Sequence, residues 1–216
     1  MKLPRDLFLL YGITDDRWID AAIFYQQVEA ALQGGVTCLQ YRDKIRSKKE
    51  LKEHAKVIRS LCDSYHVPFI MNDNADMAKE LCADGVHVGQ MDMSVAKARQ
   101  LLGEKSIIGA SARTVEQARI AKEQGADYLG VGAVFQTTTK TDARQVSHEQ
   151  LVEISSKVHL PVVAIGGITS ENLPLLTGTG IEGFATVSAI FQASNIQEKC
   201  QELLAISSRI VIADHK

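Results

Sequence analysis

Short apolar runs rich in β-branched residues alternate with amphipathic helical patterns eight times along this chain. Runs of this length indicate buried strands, and apolar residues spaced three and four apart indicate helices. Eight strand–helix pairs predict an α/β fold, the (β/α)8 or TIM barrel. The predicted strands are LFLLYGIT, VTCLQYR, VPFIMND, GVHVGQ, SIIGAS, DYLGVGAVF, PVVAIGG and GFATVS. The predicted helices are DAAIFYQQVEAALQGG, SKKELKEHAKVIRSLCDSYH, ADMAKELCADG, SVAKARQLLG, TVEQARIAKEQG, SHEQLVEISSKVH, SENLPLLTGTG and NIQEKCQELLAISSRIV.

The alternative to a barrel is an open, doubly wound sheet. The chain carries no Gly-rich dinucleotide fingerprint, and this favours the barrel. With 216 residues and no linker-like segment, we predict a single domain over residues 1–216. The polar stretch from Gln136 to Gln145 shows neither helical nor strand periodicity and predicts a long loop. Its polarity and length suit a lid, and whether it closes over a ligand is left open.

Composition narrows the classes of partner. The net charge of −2 gives no basic field for nucleic acid. The four cysteines are scattered without metal-ligand spacing, which indicates reduced thiols in a cytoplasmic protein. The first residues do not resemble a signal peptide, and no apolar stretch approaches the roughly 20 residues that span a membrane. The oligomeric state is left open, with a homo-oligomer among the options.

Polar residues lie at the C-terminal ends of most of the predicted strands, whereas the residues at the N-terminal ends are mostly apolar or small. In a (β/α)8 barrel, the C-terminal strand ends and the following loops form the active site. The polar ends therefore predict a ligand site at one mouth of the barrel. In chain order these residues are Gln40, Arg42, Lys44, Asn72, Asp73, Gln90, Asp92, Ser111, Thr137, Thr139, Lys140, Gly166, Gly167, Val187 and Ser188.

The cations at this mouth favour an anionic ligand. Gln40, Arg42 and Lys44 are two residues apart, so on a strand their side chains point to one face. A guanidinium grips an anion with two donors, and an ammonium acts as a point charge. With Lys140 facing them across the mouth, the number of donors suits a diphosphate. The alternative is that each cation pairs with an acidic residue at the barrel rim.

Two aspartates predict a Mg²⁺ site beside these cations. Asp73 and Asp92 follow neighbouring strands, roughly 5 Å apart. Close carboxylates repel unless a cation or a proton lies between them, and Mg²⁺ is commonly held by carboxylates and substrate phosphates. The alternative is that each aspartate caps the next helix. A third candidate, Asp76, lies inside a helix start and suits a capping or surface role.

The remaining polar residues have less specific patterns. His87 alternates with valines, which indicates a structural histidine rather than a general base. Ser111 lacks the context of a nucleophile and is interpreted as a hydrogen-bond donor to the ligand. Gly167 and Ser188 fit the phosphate site that this fold often builds from backbone N–H groups, although a tight turn also explains Gly167.

A metal site with cations and a second site of backbone amides suit a reaction between two phosphorylated substrates. One substrate would lose a diphosphate, and its remainder would join the second. Mg²⁺ and the cations would stabilise the leaving charge. No general base is evident, and a reaction driven by departure of the leaving group needs none.

Several motifs, in order over nearly the whole chain, resemble the thiamin phosphate synthase family. They are LQYRDK, NDNAD, GVHVGQMD, GASART, DYLGVGAVFQTTTK, AIGGI and TVSAI. The resemblance implies a transferase with a (β/α)8 fold that joins hydroxymethylpyrimidine diphosphate to a thiazole phosphate and releases pyrophosphate. It also implies a dissociative mechanism, in which pyrophosphate leaves before the thiazole nitrogen attacks the pyrimidine cation.

The resemblance also assigns roles to the residues of the mouth. Mg²⁺ would be held by Asp73 and Asp92. The thiazole phosphate would be bound by Thr137, Thr138, Thr139, Gly167, Val187 and Ser188. The pyrimidine diphosphate would be bound by Gln40, Arg42, Lys44, Asn72, Ser111 and Lys140, of which Arg42, Lys44, Ser111 and Lys140 are the predicted catalytic residues.

The chain departs from the family pattern at three positions. It has Ala133 and Gln136 where the family has or often has proline, and Arg113 where the family often has histidine. A related branch, the thiazole tautomerases, shares the fold and the phosphate end. That branch lacks the paired aspartates and the full Gln-x-Arg-x-Lys pattern, both of which this chain keeps.

Two further functions remain as alternatives. One is a Schiff-base aldolase acting on a phosphorylated sugar, with Lys44 or Lys140 as the nucleophile. The other is a non-catalytic barrel that binds thiazole phosphate or thiamin phosphate.

Overall fold

The structure, a computed structural model, describes residues 3–14, 17–18, 20–137 and 145–215. Its strands are β1 (Leu10–Ile13), β2 (Cys38–Tyr41), β3 (Phe69–Asn72), β4 (Gly85–Val88), β5 (Ile107–Ala112), β6 (Tyr128–Gly132), β7 (Val162–Ile165) and β8 (Gly183–Thr186). All pair in parallel with their sequence neighbours, and β8 closes the sheet by pairing with β1. The predicted (β/α)8 barrel is therefore confirmed, and the open sheet is wrong.

Helices follow the strands and form the outer layer of the barrel. They are α1 (Ala21–Gln33), α2 (Lys48–Ser64), α3 (Ala75–Glu80), α4 (Val95–Leu102), α5 (Val115–Glu123), α6 (His148–Val158), α7 (Ser188–Phe191) and α8 (Ile196–Asp214). The helices α2 to α6 begin at Ser, Thr or Asn side chains that accept a hydrogen bond from the third residue of the helix. These caps allow short connections after β2 to β5.

The region between β7 and β8 differs from the prediction. In place of a full seventh helix, the chain forms one turn of 3₁₀ helix at Leu173–Leu176. Pro174 has no N–H for a helical hydrogen bond, and Gly178 and Gly180 adopt positive φ angles of 87° and 70°, which end the helix. The four-residue helix α7 was not predicted, because it is too short to show a helical period.

Two apolar cores lie on the two sides of the sheet. The larger core joins the strands to the helices, and Leu39 and Tyr41 pack into it with Phe24. The smaller core fills the barrel, where Tyr11 and Tyr128 are fully buried and the Phe8 ring lies 4.4 Å from that of Tyr128. Side chains therefore alternate along β2 between the helical layer and the barrel interior.

Two glycines make room for polar rings inside the barrel. A Cβ atom on Gly109 would lie 2.1 Å from Cζ of Tyr128, and one on Gly130 would lie 2.9 Å from Cε1 of His87. Because real Cβ contacts of this length do not occur, no larger residue fits at Gly109 unless Tyr128 shifts. Glycines thus set the positions of Tyr128 and His87.

Three of the four cysteine thiols are buried and one, Cys82, is exposed; none forms a disulfide. Among the helices that the structure describes, none has the length and apolar character needed to cross a bilayer.

Candidate active site

The end of β2 places an amide and two cations at the barrel mouth. Gln40 points inward, is 3% exposed, and donates from Nε2 to the Tyr11 hydroxyl over 2.9 Å. Arg42 is half-buried, and its backbone N–H and C=O both bond the Thr14 hydroxyl, at 2.9 and 3.0 Å. Lys44 is half-exposed and its ammonium donates to Asp73. Of the three residues that the sequence placed on one face, Gln40 therefore points into the barrel and Lys44 contacts Asp73 at the end of β3.

Asp43 stabilises this strand end from the opposite face. Its side chain is fully buried and accepts from the backbone N–H groups of Ile45 and Arg46, at 3.0 and 3.1 Å. It also pairs with the Arg46 guanidinium at 3.1 Å, and that guanidinium lies 3.2 Å over the Trp18 ring. Asp43 is not among the residues predicted from the sequence, although an aspartate between two cations at a strand end was the available signal.

Replacing Asp43 by alanine is expected to lower the free energy of unfolding by about 3 kcal/mol, because buried donors and the Arg46 guanidinium would lose their acceptor. Urea denaturation measures this change. Asp63, which pairs with Arg59 on the exposed face of α2, is the matched control. Alanine there should change stability by less than about 1 kcal/mol. Equal effects of the two substitutions would contradict the structural role of Asp43.

Asp73 and Asp92 lie side by side at the ends of β3 and β4. Asp73 accepts from Lys44 and, at 2.7 Å, from the Asn72 side chain. Asp92 accepts from the Gly89 N–H at 2.8 Å. The pKa of the Asp92 carboxyl is raised, first by burial and then by the Asp73 carboxyl within hydrogen-bonding reach, while Lys44 opposes the shift.

Neither aspartate caps a helix, contrary to the alternative considered from the sequence. Asn74 caps α3 and Ser94 caps α4, with their side chains accepting from Met77 and Lys97 N–H groups. Asp76 lies in the first turn of α3 and is exposed, as its position predicted. The two carboxyls repel each other, and the Lys44 ammonium on Asp73 offsets only part of that cost, since the pKa of Asp92 is still raised.

The donor set at this position suits Mg²⁺. Within the described part of the chain, no three His, Cys, Asp or Glu side chains cluster as metal ligands. A cation here would therefore rest on the two carboxylates and take further oxygen atoms from water or a ligand. Mg²⁺ is commonly bound in this way, by one or two carboxylates with substrate phosphates.

The inner floor of the mouth carries Ser111 and His87. Ser111 is half-buried, its Oγ lies 3.0 Å from Nε2 of His87, and its carbonyl accepts from the Gln90 side chain at 2.6 Å. His87 contacts the Tyr128 hydroxyl through Nδ1 at 3.0 Å. Both ring nitrogens thus bond interior groups, in keeping with the structural histidine indicated by its alternation with valines.

The loop after β7 and the start of α7 occupy the other side of the mouth. Gly167 has φ of 66°, and a Cβ there would lie 2.1 Å from the carbonyl oxygen of Gln136. Gly166 accepts from the Phe135 N–H at 3.0 Å, so this loop packs closely on the chain after β6. Val187 immediately precedes α7 and Ser188 begins it, so both flank the mouth.

Part of the predicted site lies outside the described residues. Thr137 is described and half-buried, whereas Thr138, Thr139 and Lys140 fall in the segment 138–144. Their roles remain predictions, and whether the loop from Gln136 to Gln145 acts as a lid stays open.

The chain is similar to known proteins over nearly its whole length. The family model described as "Thiamine monophosphate synthase" matches residues 10–190. The chain belongs to the thiamine monophosphate synthase family. It is 44% identical over 206 residues to the thiamine-phosphate synthase of Ruminiclostridium cellulolyticum, covering 95% of this chain and 98% of that protein. It is 42% identical over 199 residues to the thiamine-phosphate synthase of Clostridium acetobutylicum, covering 92% and 94%.

A solved structure from the thiamine monophosphate synthase family has the same barrel. The thiamine phosphate pyrophosphorylase from Pyrococcus furiosus superposes with a TM-score of 0.87 at 38% identity, covering 96% of this chain and 98% of that one. The family predicted from the sequence motifs is thereby confirmed.

Proposed function

We propose that this protein is a transferase that forms thiamin phosphate by a Mg²⁺-dependent condensation. Hydroxymethylpyrimidine diphosphate and a thiazole phosphate would be the substrates, and pyrophosphate would be the second product. The observation that carries the proposal is the pair of Asp73 and Asp92 carboxyls beside the Lys44 ammonium, in a member of the thiamine monophosphate synthase family. A cytoplasmic location belongs to the same proposal.

The cationic side of the mouth would hold the diphosphate. A guanidinium such as that of Arg42 can bind phosphate oxygens with paired donors, and Lys44, whose ammonium pairs with Asp73, would add a second positive charge. Lys140 would add a third charge. Asp73 and Asp92 would hold Mg²⁺, which when bound would neutralise charge on the diphosphate.

The remaining residues divide between the two substrates. Gln40, Asn72 and Ser111 line the inner floor and would orient the pyrimidine ring. Gly167, Val187 and Ser188, together with Thr137, Thr138 and Thr139, would hold the phosphate of the thiazole. This arrangement would keep the two anionic groups on separate sides of the mouth and would bring the reacting ends of the substrates together between them.

The proposed reaction is dissociative. The bond between the pyrimidine methylene carbon and the diphosphate oxygen breaks, and its electron pair leaves with pyrophosphate. The thiazole nitrogen then donates its lone pair to the methylene carbon of the pyrimidine cation. No proton is removed by a side chain, which fits a site where His87 bonds interior groups and both aspartates lie together. Arg42, Lys44 and Lys140 would stabilise the leaving charge.

The alternative functions are less well supported by the geometry. A Schiff-base lysine must be neutral to attack a carbonyl, whereas the Lys44 ammonium donates to the Asp73 carboxylate. A thiazole tautomerase or a binding barrel would not require the paired carboxyls.

Incubating the purified protein with both substrates, with Mg²⁺ and then with excess chelator, tests the proposal. We expect thiamin phosphate and pyrophosphate in equal amounts, and loss of both with the chelator. Tight binding of the substrates without product would favour the binding barrel. Borohydride trapping of a carbonyl substrate on Lys44 or Lys140 would favour the aldolase.

A further inference from the structure

Five polar side chains form a continuous chain of hydrogen bonds across the inside of the barrel. We name this chain, Gln40–Tyr11–Tyr128–His87–Ser111, the interior relay. Gln40 Nε2 lies 2.9 Å from the Tyr11 hydroxyl, which lies 2.8 Å from the Tyr128 hydroxyl. Tyr128 lies 3.0 Å from Nδ1 of His87, and Nε2 of His87 lies 3.0 Å from Oγ of Ser111. Each member comes from a different strand.

We propose that the interior relay fixes the hydrogen-bonding roles of Gln40 and Ser111, the two residues at its ends, toward the pyrimidine ring. One of them presents an acceptor to the ring and the other presents a donor. Gln40 then presents its carbonyl oxygen to the ligand, and Ser111 presents its hydroxyl proton. Tyr11, Tyr128 and His87 are positioning residues for ring recognition. The inference rests on the proposed function, because it takes the pyrimidine as the ligand of Gln40 and Ser111.

The proposed direction of the hydrogen bonds takes the Gln40 amide with Nε2 towards Tyr11. An amide nitrogen can only donate, so the Tyr11 oxygen accepts in this orientation. Tyr11 must then place its own proton on another acceptor inside the barrel. The Tyr128 hydroxyl is the better choice, since the neighbouring Cys38 sulfur accepts hydrogen bonds weakly. Burial raises the pKa of both phenols, so each keeps a proton to donate.

The directions of the two remaining hydrogen bonds follow because each hydroxyl and the neutral imidazole ring has one proton to donate. Tyr128 accepts from Tyr11, so its proton points to Nδ1 of His87. Nδ1 is then the acceptor of the neutral ring, and the ring proton lies on Nε2, where it is donated to Ser111. The Ser111 oxygen accepts this bond, which leaves its own proton for a group in the mouth. At the other end of the relay, Nε2 of Gln40 donates to Tyr11 inside the barrel. The amide oxygen Oε1 is then the Gln40 atom that can accept a hydrogen bond from the ligand.

An acceptor at Gln40 and a donor at Ser111 would suit a pyrimidine substrate that carries an exocyclic amino group, which we call an aminopyrimidine. Its exocyclic amino group donates hydrogen bonds, and its ring nitrogens accept them. A pyrimidine that carries an oxo group in place of the amino group presents an acceptor instead, and it would leave Gln40 Oε1 facing another acceptor. Gly109 and Gly130, on β5 and β6, leave the space that the rings of Tyr128 and His87 occupy.

The tautomer of His87 tests the relay directly, without turnover. In ¹⁵N-histidine-labelled protein at a pH about two units above the ordinary histidine pKa of about 6.5, we expect His87 to carry its proton on Nε2. His87→Gln assigns the signal by its disappearance. A proton on Nδ1 would reverse every bond in the relay and overturn the proposal.

Ring recognition gives a second test, in which Tyr128→Phe keeps the ring and removes the linking hydroxyl. The measured quantity is the ratio of dissociation constants for two unreactive monophosphates, the aminopyrimidine and its oxo analogue. We expect the wild-type preference for the amino form to fall by roughly tenfold, as loss of about one oriented hydrogen bond would predict. Tyr11→Phe should act similarly. Tyr65→Phe, whose hydroxyl bonds Glu29 and Gln33 outside the relay, should leave the ratio unchanged.

The outcomes separate the relay from mere stability and from the proposed function. If Tyr128→Phe weakens both ligands equally, the hydroxyl has only a structural role and the proposal is overturned. If the wild-type protein forms no thiamin phosphate, the proposed function fails, while the His87 tautomer still decides the direction of the relay.

Discussion

Replacing Asp73 by asparagine is expected to lower the kcat for thiamin phosphate formation by about 10²–10³-fold. The substitution removes one of the two carboxylates proposed to hold Mg²⁺, and with it the charge that keeps the cation beside the diphosphate. Asparagine is the suitable replacement because Asp73 has a φ of 58°, a left-handed conformation that Asn tolerates better than Ala. Turnover measured against Mg²⁺ concentration should show a higher half-saturating concentration of the metal.

The stability of this variant should remain near that of the wild type. Asp73 loses a partly exposed ion pair with Lys44, which contributes at most about 1 kcal/mol, and Asp92 loses a repelling neighbour. Asp76→Asn, three residues further along the chain and exposed, is the matched control and should retain full turnover. If Asp73→Asn and Asp76→Asn have the same Mg²⁺ dependence, the metal assignment is wrong.

Asp92 provides an internal check on the pairing. Asp92→Asn should resemble Asp73→Asn, and the double variant should lose little more activity than either alone. Residues that act as one unit show such non-additivity, because the first substitution already removes the shared function. Additive losses would indicate that the two carboxyls act on different groups.

The sequence was sufficient to predict the direction of side chains near the ends of the strands. The alternation along β2 placed Leu39 and Tyr41 in the helical layer and Gln40 in the barrel, because the side-chain period of a strand is two. The predicted strand order also placed Asp73 and Asp92 close together, because β3 and β4 are neighbours in a barrel whose strands follow chain order. Local periodicity and a regular topology decide both features.

Side-chain contacts between residues that are far apart along the chain could not be predicted from the sequence. The bond between Tyr11 and Tyr128 joins residues 117 positions apart, and no local pattern marks either tyrosine as a hydrogen-bonding partner of the other. Sequence also left open whether Asp73 and Asp92 cap helices, since an aspartate before a helix suits both roles. Only the observed caps at Asn74 and Ser94 resolved that choice.

Replacing Arg42 by alanine is expected to reduce kcat/KM for the pyrimidine diphosphate by about 10²–10³-fold with little change in the free energy of unfolding. The large effect follows if the guanidinium grips the leaving diphosphate with paired donors. The small effect on stability follows because Thr14 bonds the backbone N–H and C=O of residue 42, which alanine keeps. Initial rates and urea denaturation measure the two quantities.

Arg42→Lys separates charge from geometry at the same position. Lysine retains the positive charge but cannot present two parallel donors, so we expect an intermediate loss of activity. The inhibition constant of pyrophosphate should rise in the same order, from arginine to lysine to alanine, because pyrophosphate is the product that Arg42 would hold. Arg119→Ala, an exposed site on α5 that pairs with Glu116 and Glu123, controls for removing one positive charge. A large loss of stability in Arg42→Ala with turnover retained would mean that Arg42 supports the barrel rim and does not bind the leaving group.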